Sequence, residues 1–441
     1  MKPSLERLQQ FRRRLYQTFC QRADASFDLI DALAQSAQVE SPVAVSQNPA
    51  FRRGYASVYD ALDASRGDEE ALSQLLFESV PPDSQTLADY EVYAVDATLE
   101  ERPAAETLPD RTLVRSREQE PSVPGHSYAW LVRLIERGTS WAAPLAVRRV
   151  SSAEKSFQVA AEQVLALDQR SDHKKVVVAD SGYINWAFLQ LCLIATTVVV
   201  LVRMRANQVL YGPPAPYQGR GRKPKHGPAL RLKGPAQPAE REETLTWLSY
   251  TIRLRAWCNL HFRKLPDLCG MVICVQVLRP DGTPRYPRPL WLFWSGPSGV
   301  ALADLYNLYQ WRFVIEHLFR FLKQHLGLNR ASLVHGQSPQ QWMRLCALAY
   351  WQLLLARPLV AYQPLPWQRK PSLARPPALT PRQVQNALPG IFGTIGTPAQ
   401  PPKPAGKAPG RAPGFHPKPR TRYPVIRKSR KPAQTPIASA G

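Results

Sequence analysis

Three short apolar runs constrain this chain more than any other feature: VYAVDAT (residues 92–98), KKVVVAD (174–180) and TTVVVLV (196–202). Each is rich in β-branched residues and too short for a buried helix, so each reads as a strand. HSYAWLVRLIERGTSWAAPLAVRRV adds two strands around a turn at Gly138. SAEKSFQVAAEQVLALDQR, with a Ser/Glu capping signal at its start, reads as a helix, as does 185–194. The resulting order, β-β-β-α-β-α-β, predicts an α/β fold around a mixed sheet.

The rest of the chain divides around that core. Residues 1–88 have helical spacing in LERLQQFRRRLYQTFC, ASFDLIDALAQ and DEEALSQLLFESV. The core begins at 89–210. At 211–296 a Gly-, Pro- and cation-rich loop leads into strand patterns ending in PLWLFWSG, a β-rich insertion. Helices at 297–362 complete the core. From 363 to 441 the chain holds 18 prolines and 14 Lys/Arg and reads as a disordered basic tail.

The net charge of +23 points to a polyanionic partner, nucleic acid ahead of an anionic membrane surface. The most apolar run, 187–202, is short for a membrane span and is broken by Gln190 and two threonines. No membrane association and no secretory signal are expected. Six scattered cysteines without a CxxC pair suit a reducing cytoplasm, and the charge suits association with the nucleoid.

Within this basic chain the carboxylates are selectively placed. Glu316 is the last acid; the 125 residues after it contain none. It lies in YQWRFVIEHLFRFLKQ, where helical spacing puts Tyr309, Arg312, Glu316 and Lys323 within about 60° of one another. A solvated face with an i,i+4 Arg312–Glu316 pair is the plain reading. Asp96 and Asp180, however, each follow a buried strand run, where open α/β sheets place ligand sites. Two such aspartates with a helix-borne glutamate can hold two Mg²⁺ ions, and neighbouring cations can hold the phosphates that carboxylates repel.

At these residues the chain resembles a bacterial insertion-sequence transposase of the DDE type. The signature Tyr-x2-Arg-x3-Glu-x6-Lys is met by Tyr309, Arg312, Glu316 and Lys323 without a gap. VYAVDAT is similar to that family's first-Asp strand, VVVADSGYINWAFL to its second, and VRMRANQVLYGPPAPYQGRGRKPKHG to the segment that follows in one branch. Asp110, in the loop after the first run, competes with Asp96 for the first position. The resemblance spans about residues 1–360. It implies a ribonuclease-H-like core with a β-rich insertion before the glutamate. It also implies Mg²⁺-dependent cleavage at element ends (Mn²⁺ serving in its place), then joining of the 3′-OH to target DNA. Asp96, Asp180 and Glu316 are then the catalytic metal ligands, and Tyr309, Arg312 and Lys323 hold phosphates. The implied partner is double-stranded DNA, as terminal inverted repeats and target, held by a homodimer.

Several other features of the chain carry weaker signals. Residues 219–227, GRGRKPKHG, read as a basic arm that contacts DNA through Arg220, Arg222, Lys223 and Lys225. Trp291 and Trp294 fit a core strand better than a base-stacking role. The spacing Cys258-x2-His261-x7-Cys269-x4-Cys274 is a weak zinc pattern. Two rival functions stand beside transposition: a non-catalytic, transposase-derived DNA-binding protein, and a structure-specific nuclease on the same core.

Overall fold

The structure, a computed structural model, describes residues 2–115, 121–219, 221–235, 237–334, 336–364, 378–404, 406, 410–416 and 418–427. Among them, 13 strands form one mixed sheet. Its principal strands are β1 (Tyr90–Glu101), β2 (Val123–Leu134), β3 (Ala142–Val150), β4 (Lys175–Ala179), β5 (Val198–Met204), β6 (Tyr250–Phe262), β7 (Leu265–Leu278) and β8 (Leu290–Trp294). They lie in the order β6-β7-β8-β5-β4-β1-β2-β3. β4 runs parallel to both β1 and β5, and the other pairings along this path are antiparallel.

The α/β architecture expected from the strand runs is therefore present. The three apolar runs form β1, β4 and β5, adjacent at the sheet's centre. All five residues of β4 are buried, as a strand covered on both faces must be. Val92 and Ala94 of β1 with Val176 and Val178 of β4 face one apolar cluster; Tyr93, Val95, Val177 and Ala179 face another. The strands of the 211–296 segment are not a separate layer. β8 pairs with β5 and carries β7 and β6 outward, so they extend the core sheet.

The principal helices are α1 (Lys2–Gln17), α2 (Ala23–Gln35), α3 (Ala56–Ala64), α4 (Glu69–Glu78), α5 (Ser156–Asp168), α6 (Leu302–Trp311), α7 (Val314–Gln324), α8 (Ser338–Ala356) and α9 (Pro381–Ile395). α8 is the hub of the helical side. Seventeen of its 19 residues are buried, and it packs on α1, α2, α3, α9 and β3. No described helix is long and apolar enough to cross a membrane.

The stretch expected as a disordered tail is not uniform, because it contains α9. Val384, Leu388 and Phe392 recur every four residues and are buried. Thr380 and Gln383 form a capping box that encloses Pro381, the first helical residue. The Arg12 guanidinium, paired with Asp31 at 2.7 Å, lies 4.1 Å from the Phe392 ring centroid. Phe392→Ala should therefore lower the unfolding free energy by about 3 kcal/mol. Urea denaturation checks this, and an unchanged midpoint would mean α9 adds nothing to the fold.

Candidate active site

The sheet register brings the two aspartates together. Ala94 of β1 pairs with Val178 of β4 in parallel. Two residues further on stand Asp96, still within β1, and Asp180, just past the end of β4, close enough for the Asp180 charge to act on Asp96. One expectation is corrected here: Asp96 does not end its strand. β1 continues to Glu101, because β2 pairs with it along that whole length, with Trp130 opposite Asp96. What ends beside Asp96 is its parallel neighbour β4, and that opens the space Asp96 faces.

The expected single helix around Glu316 is also modified. It breaks into α6 and α7 at Arg312–Phe313, where the N–H groups of Arg312, Phe313, Ile315 and Glu316 all bond three residues back. This tightened turn keeps Arg312 and Glu316 together, with Arg312 Nη2 donating to Glu316 Oε1 at 2.8 Å. Arg312 Nη1 reaches Asp96 Oδ2 at 3.4 Å. One guanidinium thus bridges a strand carboxylate and a helix carboxylate 220 positions apart in sequence.

The electrostatics follow from that packing. Burial raises the Asp96 pKa to about 6; Arg312 opposes the rise, and Asp180 and Glu316 add to it. Burial works against the charge of Arg312, but Tyr309, Asp96, Glu316 and Asp180 outweigh it and hold its pKa above the usual value. Tyr309 is half-buried with its ring 5.9 Å from that guanidinium, and burial raises its hydroxyl pKa. Burial lowers the pKa of Lys323, against the pull of Asp96 and Glu100. Arg312, Glu316 and Lys323 therefore each interact with the Asp96 charge, and Tyr309 with Arg312 and Asp180.

Asp180 is half-buried, and its Oδ1 accepts the Gly182 N–H at 2.8 Å. A Cβ at position 182 would stand 3.1 Å from that oxygen, so the loop closes tightly around the carboxylate. Tyr183, one residue on, was missed by the sequence reading. It is 3% exposed, its hydroxyl has no hydrogen-bond partner, and burial followed by Asp96 and Asp180 raises its pKa well above normal. The only sequence signal was its place in DSGY, just after the second aspartate. Glu100 was also missed. It lies on the Asp96 side of β1, buried against Arg102, and its pKa rises to about 7 chiefly through burial.

Other candidates fall elsewhere. Asp110 sits in a turn with φ 61° and accepts the Ser152 N–H at 3.1 Å, apart from the carboxylate group. Arg222, Lys223 and Lys225 are exposed on an irregular loop, without a described hydrogen bond or ion pair to the carboxylates; Arg220 lies outside the described residues. Trp291 and Trp294 are core residues at 8% and 0% exposure. The zinc pattern is not assembled. Cys274 is buried opposite Arg255, while His261 meets His226 with ring nitrogens 2.9 Å apart.

Three carboxylates offer the hard oxygen donors that a divalent cation such as Mg²⁺ prefers. Among the described residues, no three His, Cys, Asp or Glu side chains converge closely enough to hold a metal ion. The Arg312 guanidinium bridges two of the three, Asp96 and Glu316. By chemistry the donor set fits the metal; its spacing is that of an arginine-bound cluster.

The class of protein comes from a family comparison. Residues 14–260 match the DDE superfamily endonuclease family, and the chain belongs to it. Asp96 and Asp180 lie inside the matched region and Glu316 beyond it. No curated protein matches the chain. Among solved structures it is similar to the cryo-EM structure of the piggyBac transposase synaptic complex with hairpin DNA. That likeness has a TM-score of 0.40 and 8% identity, and covers 85% of this chain and 72% of the other.

Proposed function

We propose that this protein is a DNA transposase of the bacterial insertion-sequence type, which cleaves the ends of a mobile element and joins the freed 3′-OH to target DNA. The observation that carries the proposal is the approach of Asp96, on β1, and Asp180, just past the parallel strand β4, to each other and to the Arg312–Glu316 pair. Family membership and the order β3-β2-β1-β4-β5, which fits a ribonuclease-H-like core, support it.

In this reading Asp96, Asp180 and Glu316 would hold two Mg²⁺ or Mn²⁺ ions. When bound, such ions activate an attacking hydroxyl and stabilise the leaving oxygen of a phosphodiester. Arg312 moves from the carboxylates to a phosphate oxygen, which its planar fork suits. Lys323 and Tyr309 hold phosphates of the same strand. The exposed loop cations Arg222, Lys223 and Lys225, with Arg220, track the backbone, and helices 1–88 recognise the element end. Two ends require two active sites, hence a homodimer on DNA.

The test is incubation of the protein with a fragment carrying the inverted repeats that flank its gene, in Mg²⁺ or EDTA, with breaks and joined products mapped. Mg²⁺-dependent breaks at the repeat ends, followed by strand transfer, are expected. Breaks without transfer would favour a nuclease. Binding without breaks would favour a DNA-binding protein only.

A further inference from the structure

A second basic feature lies outside the carboxylate cluster. A cavity of about 660 Å³ opens where residues 65–69, strand β3 and the start of α8 meet. Arg66, Arg148, Arg149 and Arg344 line it, against one acid, Glu69. The first turn of the 19-residue α8, at Gln337–Gln341, forms one wall, and helix N-termini favour anions.

Most of these cations already have partners. Arg344 pairs with Glu69 at 2.6 Å. Arg148 pairs with Glu154 and Glu162, each at 2.7 Å. Arg66 donates to the carbonyls of Asp63 and Ser65. Arg149 is different. Its described ion pair, with Asp110, is 3.7 Å long, and that carboxylate is already engaged by the Ser152 N–H.

Tyr128 stands directly across the β2–β3 ladder from Arg149, so the two side chains project to the same side of the sheet. Tyr128 is 0% exposed and forms part of the cavity wall, and its hydroxyl has no hydrogen-bond partner. A buried hydroxyl without a partner is costly, and here it stands beside a guanidinium with unused donors at a helix start.

We propose that this cavity binds the phosphate of a nucleotide, carried either on a DNA strand or by a free nucleotide. Arg149 and the Tyr128 hydroxyl supply the vacant donors, and the α8 N-terminus supplies the dipole. A guanidinium binds phosphate through paired N–H groups. The volume exceeds what a bare phosphate fills and lies in the range of small-molecule pockets. The site uses none of Asp96, Asp180, Arg312 and Glu316 and needs no metal, so it stands or falls independently of the proposed transposition.

Calorimetry of the full chain in EDTA, with dTMP, thymidine and a short duplex as probes, tests the site. Wild type should bind dTMP and not thymidine. Arg149→Gln should weaken dTMP binding about tenfold or more, and Tyr128→Phe about threefold to tenfold. Because Tyr128→Phe leaves the charge unchanged, its effect separates a built pocket from general basicity. If DNA supplies the phosphate, both variants also weaken the duplex, and dTMP competes with it. If a free nucleotide is the ligand, duplex affinity is unchanged in both. The proposal is overturned if Tyr128→Phe alters neither dTMP nor duplex binding while circular dichroism shows it folded. Arg149→Lys, which keeps the charge, covers the case in which the glutamine variant fails to fold.

Discussion

Glu316→Gln should reduce Mg²⁺-dependent cleavage of DNA ends by about 10³-fold or more, while duplex binding holds or tightens. The size follows from the role proposed for the carboxylate. A catalytic metal stabilises transition-state charge by several kcal/mol, and each 1.4 kcal/mol is a factor of ten in rate. The direction of the binding change follows from charge. Removing one negative group beside Arg312 and Lys323 lowers repulsion towards phosphates. Glutamine keeps the side-chain length and accepts the Arg312 hydrogen bond through its carbonyl, so the α6–α7 turn is retained. Asp180→Ala should give the same loss of cleavage from the sheet side of the site. Single-turnover cleavage and fluorescence-anisotropy binding, measured on the same preparation, check both. Cleavage within tenfold of wild type would remove Glu316 from the reaction. Lost binding with lost cleavage would make it a structural partner of Arg312.

The parts of this site that were legible in the sequence are those set by local pattern. Continuous β-branched runs mark β4 and β5, because a strand buried on both faces has no polar side. The spacing from Tyr309 to Lys323 marks one side of a helical segment. The parts that were not legible depend on partners distant in sequence. β1 runs past Asp96 through Thr98 and Glu100 because β2 bonds it there, although its own residues turn polar. Glu100 is buried by what surrounds it, not by its own preference. The α5 cap is another case. The expected Ser/Glu signal is displaced, and the Gln158 side chain instead accepts the Lys155 N–H at 2.9 Å. α9 was hidden for the opposite reason. The Pro and Lys/Arg count of the whole tail masks fifteen residues whose apolar positions have helical spacing.

Arg312→Gln should separate two properties that most site variants lose together. Arg312 bridges Asp96 and Glu316, so it would compete with a divalent cation for the same oxygens. Two unit charges about 4 Å apart in a partly buried setting interact by about 4 kcal/mol before desolvation is counted. Much of that is offset, but removing the competitor should still tighten Mn²⁺ binding about tenfold. With DNA bound, the same arginine is proposed to hold a phosphate, so cleavage should fall about 10²-fold. Tighter metal binding with slower chemistry is not expected of a variant that merely loosens the fold. Arg312→Lys supplies the control: it keeps the charge, so metal affinity stays near wild type, but it lacks the planar fork and cleavage still falls. Titration calorimetry with Mn²⁺ on the free protein gives the first quantity and single-turnover cleavage the second. If Mn²⁺ affinity is the same in wild type and Arg312→Gln, the guanidinium does not occupy the cation's place, and the bridge between Asp96 and Glu316 only positions α7 against the sheet.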